Sequence, residues 1–489
     1  MQIDSLGRSG KFDELREFLR SAGYNEEFLR ARFHLDRAEQ FELDRGKRAA
    51  LPEPTSAADI LTALYLAGEF ASLAEAERLM GRDGVGLLSG MGLLEIDAGG
   101  GRCHGTVALY PLADLHIASD RWSNPGDAPF EAPSDTVYPA FIPNTRLFLE
   151  HVPLGECGSF LDLCAGTGIA AILAARQGAR EAWAGDIAER CTRFAEFNGR
   201  LNGVANFHPV TSDLYGGLGS FDRIVAHPPY VPVLQPKWIF FSGGEDGEEI
   251  TRRIVRGLPA HLNDQGVFLA LTMGTDRSDA PFESRLREWL GEDGRDFDIA
   301  LIVRKIMEPH EFAARNREES EAWKKLFARL GVESLVYGLV VIQRRTGAGE
   351  RFTVRRQTSP GRRRAPWEWL LAWEGADKEG LLLERPLHRG GDAEFQVRHR
   401  LEGSAWTPQR YTLRTEWPFS MDCDAHPWMA NLIALCDGRA TGRDLLGALV
   451  DNEVLPRGIP EEEFAHAAAG LVSGGFIEVE GFRPPRAGG

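Results

Sequence analysis

At residues 159–169, Ser-Phe-Leu-Asp-Leu-Cys-Ala-Gly-Thr-Gly-Ile, a short apolar strand breaks at two glycines and opens into a helix. A turn of this kind delivers backbone N–H groups at a helix N-terminus, and it belongs to sheets wound with helices on both faces. The chain beyond it keeps that rhythm. Short runs rich in Leu, Val, Ile and Ala at 182–185, 207–210, 224–226 and 267–271 alternate with helical stretches, the pattern of a parallel sheet buried on both sides. Two later runs, 298–304 and 334–342, flank a helical insertion at 308–330 and are expected to close the sheet as an antiparallel pair, giving a Rossmann-like α/β core of seven strands.

The glycine turn alone leaves two ligands open. Gly166-Thr167-Gly168-Ile169-Ala170-Ala171 satisfies the G-x-G-x-x-A form of the dinucleotide fingerprint, and Asp186 lies where a ribose-binding acid is expected, so NAD and S-adenosylmethionine compete. The acids around the turn separate them. Asp162, just before the glycines, would repel a pyrophosphate but suits the positive amino group of a methionine moiety. Asp186 can take both ribose hydroxyls, and Asp213 after the third strand can accept from an adenine amino group while Leu214 packs on the ring. The fourth strand ends in His227-Pro228-Pro229-Tyr230. Two prolines make a stiff turn without N–H groups, whose carbonyls can face an incoming amide or amine, and a tyrosine can stack on a planar acceptor.

On these residues the segment 135–345 resembles a class I S-adenosylmethionine-dependent methyltransferase, and within that superfamily the group with an Asn-Pro-Pro-Tyr motif. That group includes protein glutamine N5-methyltransferases and amino-methylating nucleic-acid enzymes. Gly243-Gly244-Glu245-Asp246-Gly247 with the helix after it, 262–267, and the lead-in Phe141-Ile142-Pro143-Asn144-Thr145 extend the likeness to the glutamine methyltransferases. The resemblance implies S-adenosylmethionine held by Asp162, Ala165, Gly166, Gly168, Asp186, Ile187, Asp213 and Leu214, with His227, Pro228, Pro229 and Tyr230 presenting the acceptor. Cys164 stands where many relatives carry a glycine and is read as packing. The departure is His227 in place of Asn. Imidazole offers one acceptor nitrogen when neutral and takes a proton near neutral pH, so it is a candidate general base as well as an orienting group; the plainer reading is that it only fills the asparagine's volume.

The rest of the chain divides around this core: 1–118, 119–345 with a lead-in loop at 119–145, 346–418 and 419–489. The first and last segments read as helices followed by a hairpin, hence winged-helix-like accessory units, while 346–418 reads as β-rich, with Trp367, Trp369 and Trp373 in alternation. A net charge of −16 opposes nucleic acid unless cations cluster. They do cluster at 344–364, where eight arginines face the single acid Glu350; Arg355, Arg356, Arg362, Arg363 and Arg364 are the candidate polyanion contact, weighed against pairing with the protein's own acids. Six cysteines without a Cys-x-x-Cys pair argue against structural zinc and for free thiols in a reducing compartment. No apolar run reaches membrane-spanning length and the start lacks a signal-peptide pattern, so a cytoplasmic protein without a membrane partner is expected. The readings that follow are a methyltransferase acting on an amide or amino nitrogen of a protein or other large acceptor, an RNA or DNA base N-methyltransferase, a natural-product peptide methyltransferase, and a non-catalytic scaffold retaining the cofactor fold.

Overall fold

The computed structural model describes residues 3–41, 51–112, 114–125, 128–236, 238–346, 350–359, 361–362 and 364–484. Arg363 lies outside them. The chain forms two compact units, 1–274 and 275–489.

In the first unit, five parallel strands stand in the order Leu262–Arg277, Phe221–Ala226, Cys157–Leu163, Ala179–Asp186, Phe207–Thr211. Phe160, Leu161, Ile224, Val225, Phe268 and Leu269 are fully buried, as strands covered on both faces require. The strand order reverses between Cys157–Leu163 and Phe221–Ala226, where Leu163 pairs with Ala226. That reversal opens a crevice beyond the strand ends, the place where open α/β sheets bind ligands.

Ahead of the sheet, Ser56 caps helix Ala57–Thr62, its hydroxyl accepting from Asp59 N–H while the Asp59 carboxylate accepts from Ser56 N–H at 3.0 Å. Helix Leu73–Gly90 breaks at Gly81, whose φ of +75° is non-helical. Strands Phe70–Ser72, Arg102–Gly105 and Leu94–Ile96 form an antiparallel sheet in that order. Residues 86–90 are helical despite Gly86 and Gly90; Val85 and Leu88 are buried at helical spacing, and that packing overrides the glycine cost. Asn198 and Asn202, at the end of helix Glu189–Leu201, bind the backbone of strand Leu115–Ser119 through His116 and Ala118, which anchors the lead-in to the core.

In the second unit, Phe297–Met307 and Val332–Arg344 pair antiparallel as expected, and Thr353–Gln357 adds a strand parallel to the first. This contributes three strands where the sequence suggests two, because alternating residues of the arginine segment pair along Ile299–Val303. Trp367–Glu374 is a helix, not a strand: Trp369 and Trp373 sit one turn apart with rings stacked at 6.4 Å, a spacing that alternation cannot distinguish over so short a run. Glu394–Glu402 and Ala405–Thr415 pair antiparallel, as strands of the expected β-rich unit. The C-terminal helices Gly442–Asp451 and Glu461–Ser473 accompany an antiparallel sheet ordered Asp437–Thr441, Pro386–Arg389, Ile477–Val479. No helix among the described residues is long and apolar enough to cross a membrane, and all six cysteines are free.

Candidate functional site

The glycine turn is held open by φ values that only glycine adopts at low cost. Gly166 and Gly168 have φ of +54° and +76°, and a Cβ on Gly166 would meet nothing within 4 Å, whereas one on Gly168 would lie 2.9 Å from the Phe207 ring. Gly166 therefore faces open space and Gly168 a packed wall. That space is a cavity of about 700 Å³ lined by Asp162, Ala165, Gly166, Asp186, Ile187, Asp213, Leu214 and the whole of 227–230.

The three acids differ in what they already do. The buried Asp162 carboxylate receives the N–H groups of Ala170 and Ala171, capping helix Ile169–Arg176 from the strand end. Burial, then the charge of Asp186, pushes its pKa well above the carboxylate range, and those two N–H groups pull it back. Asp186 accepts from Gly166 N–H at 2.9 Å and Ala188 N–H at 3.0 Å, tying the second strand end to the turn; burial raises its pKa as well. Asp213 is exposed, and one guanidinium nitrogen of Arg253 reaches both its oxygens at 2.8 and 2.7 Å. Gly168, the turn's second glycine, packs behind the cavity wall rather than lining it.

His227 lies between Phe148 and Tyr230, ring centroids 5.3 and 5.8 Å away, both stacked. Among the described residues no group hydrogen-bonds its ring nitrogens, and desolvation lowers its pKa from 6.5 to about 4. The imidazole is thus neutral above pH 5 and a weak base. Asn144 of the lead-in donates to the Tyr230 hydroxyl at 3.2 Å, fixing the ring's tip.

Other groups that sequence reasoning passed over complete the site. Arg253 comes from helix Glu249–His261, and Tyr138, Trp238 and Phe240 stand at the mouth. The one signal for the latter is the run Trp238-Ile239-Phe240-Phe241, too apolar for an ordinary loop. The arginines at 355–364 are brought elsewhere, to acids of the second unit: Arg355 to Asp276 at 2.9 Å and Glu283 at 3.2 Å, Arg356 to Glu374 at 2.5 Å, Arg362 to Asp392 at 3.7 Å and Arg364 to Glu368 at 3.0 Å. Each of these four arginines thus has an acidic partner within the chain.

An acid-walled cavity beside a glycine turn suits a cationic sulfonium cofactor and opposes a pyrophosphate. The methyltransferase small domain family matches residues 142–291. That stretch is a class I S-adenosylmethionine-dependent methyltransferase domain, and the residues around its cavity fit that cofactor. Within the class it is similar to proteins of the glutamine methyltransferase group. It is 36% identical over 114 residues to a putative protein N5-glutamine methyltransferase of Methanocaldococcus jannaschii, covering 22% of this chain and 57% of that one. It is 31% identical over 177 residues to the ribosomal protein uL3 glutamine methyltransferase of Bradyrhizobium diazoefficiens, covering 30% and 54%. The chain thus spans about half the length of these curated relatives. A putative methyltransferase complexed with SAH is similar at 15% identity over 55% of this chain and 67% of that one, with a TM-score of 0.30.

Proposed function

We propose that the protein transfers a methyl group from S-adenosylmethionine to a side-chain amide nitrogen of a protein acceptor. The observation that carries this reading is the His-Pro-Pro-Tyr turn at the sheet's reversal point, with a neutral imidazole facing the cofactor cavity. When bound, the cofactor supplies an electrophilic methyl group on its sulfonium sulfur. Asp186 orients the ribose, Asp162 meets the amino group, Leu214 covers the adenine, and Ala165, Gly166 and Ile187 shape the pocket. The Pro228 and Pro229 carbonyls and the unpartnered His227 nitrogen are acceptors for the two N–H bonds of an amide, which orients its nitrogen. Tyr230, steadied by Asn144, stacks on the amide plane.

Desolvation that lowers the His227 pKa to about 4 favours orientation over proton removal as its role. The names of the two curated relatives favour a protein acceptor; the arginine cluster gives the nucleic-acid reading less support, since Arg355, Arg356 and Arg364 pair with acids of the same chain. The functional division we propose is 1–118, 119–345, 346–418 and 419–489, with strand Thr353–Gln357 pairing across the second boundary and Pro386–Arg389 across the third. The terminal segments act as winged-helix-like units for recognising a large acceptor, favoured at the N-terminus by the order helix, strand, two helices and hairpin. A cytoplasmic location is consistent with free thiols and with the ribosomal protein named for one relative.

The test is turnover in His227→Asn and His227→Ala. Retention in the first and loss in the second support amide orientation; loss in both returns the imidazole to proton transfer.

A further inference from the structure

We propose that the acceptor enters as a basic polypeptide segment, gripped beside the accepting residue by an aromatic lip at the cavity mouth; this rests on the methyltransferase reading above. The Tyr138 and Phe240 rings stack at 4.7 Å, and Trp122 meets both edge-on at 5.6 and 6.1 Å. Trp238 stacks against Phe240 at 6.1 Å. Packing among themselves does not bury them: Trp122 is 40% and Tyr138 39% exposed. Aromatic surface left in water on the rim of a ligand cavity marks a contact made by something that is not yet there.

The lip is braced by contacts of its own loops. Its two loops, a hundred residues apart in sequence, are joined by Ile239 N–H donating to the Ser134 carbonyl at 3.0 Å. The lead-in loop is fastened by Asp120, which accepts from Val137 N–H at 2.9 Å and from Arg190 at 2.6 Å. A preorganised aromatic platform binds without the cost of ordering itself.

Charge selects the occupant. Asp135 and Glu249 are exposed on the cavity rim, and the cation that lines the cavity among the described residues, Arg253, is held by Asp213. Among the described residues, a phosphate backbone would meet carboxylates here and one arginine already held by Asp213. An arginine or lysine flanking the accepting residue would be drawn to the same carboxylates, and a guanidinium stacks on aromatic faces. Protein rather than nucleic acid, and basic rather than acidic protein, fits this mouth.

The full chain, tested by fluorescence anisotropy against short capped peptides with a central glutamine, decides this. One peptide carries arginines beside the glutamine, one carries glutamates, and a labelled oligouridylate serves as the nucleic-acid probe. The arginine peptide should bind at least about tenfold tighter than the other two, as expected for attraction at a close acidic rim. Its lead should shrink in the Asp135→Asn, Glu249→Gln double variant and at high salt. Trp122→Ala should weaken it about tenfold, with Tyr138→Ala as the second variant, while S-adenosylmethionine affinity in the calorimeter stays unchanged in Trp122→Ala and thereby reports the fold. Equal or tighter binding of the glutamate peptide or oligouridylate, or an arginine peptide indifferent to both aromatic variants, overturns the proposal. Failure of the underlying methyltransferase reading shows separately, as wild-type protein that does not bind S-adenosylmethionine.

Discussion

Whether the imidazole of His227 takes a proton during turnover can be read from its titration. Its ring is desolvated between Phe148 and Tyr230 and has no hydrogen-bonded partner among the described residues, so nothing offsets the loss of solvation of the charged form. With a pKa of about 4 the ring is almost fully neutral at both pH 7.5 and pH 5.5, and the rate should change by less than about 1.1-fold on its account. A base titrating at 6.5 would instead lose about tenfold over the same interval. The folded value lies below the unfolded one, so the unfolded chain binds more protons between them. Stability from this group is complete above pH 6.5, falls as the pH drops towards 4, and is flat below. At pH 4.5 the loss amounts to about 2.5 kcal/mol, an upper figure for a ring not wholly sealed from solvent. The assay is a carbon-13 titration of histidine-labelled protein, with His227→Asn assigning the resonance, alongside methyl transfer at each pH. A resonance with a midpoint near 6.5, and a rate that follows it in wild type but not in His227→Asn, would refute the reasoning.

Further outcomes follow from the same contacts. Asp186→Ala removes the acceptor of Gly166 and Ala188 N–H as well as the ribose partner; bonds to a charged group are worth about 1.5–3 kcal/mol each, so calorimetry should show cofactor affinity down by at least about tenfold. Unchanged affinity would remove Asp186 from the site. Gly166→Ala and Gly168→Ala should divide: the first places a methyl group in the cavity and weakens cofactor binding, the second meets Phe207 and Ala195 and lowers thermal stability more. The reverse pattern would mean that the turn faces the other way. In the second unit, Asp298 is fully buried and accepts from Arg345 at 2.9 Å and Phe352 N–H at 3.1 Å; Asp298→Ala should cost about 3–5 kcal/mol in denaturant unfolding. A cost below about 1 kcal/mol would class the pair with exposed ones.

What could be read from sequence was what neighbours in sequence decide. The strands around 160, 184, 209, 225 and 269 and the glycine turn depend on periodicity and on residues a few places apart, and they form where expected, with Asp162, Asp186 and Asp213 around one cavity. The helix at 82–90 was hidden by its glycines, and the one at 367–374 by an alternation that helix and strand share over eight residues. Partners far along the chain were illegible. Nothing local says that Arg355 will find Asp276, that Arg253 will hold Asp213, or that Ile239 will bond to Ser134 and bring two aromatic loops into one lip. Nor does a histidine at a strand end announce its pKa, which the rings packed against it set.

The most direct measurement is transfer of label from methyl-tritiated S-adenosylmethionine into a lysate by the full chain, split afterwards by nuclease and by protease, with Asp186→Ala as control. The account predicts label that survives nuclease, is released by protease and maps to an N-methylated side-chain amide, and that is absent with the variant. Label lost to nuclease, or no transfer by a chain that binds the cofactor, would contradict it.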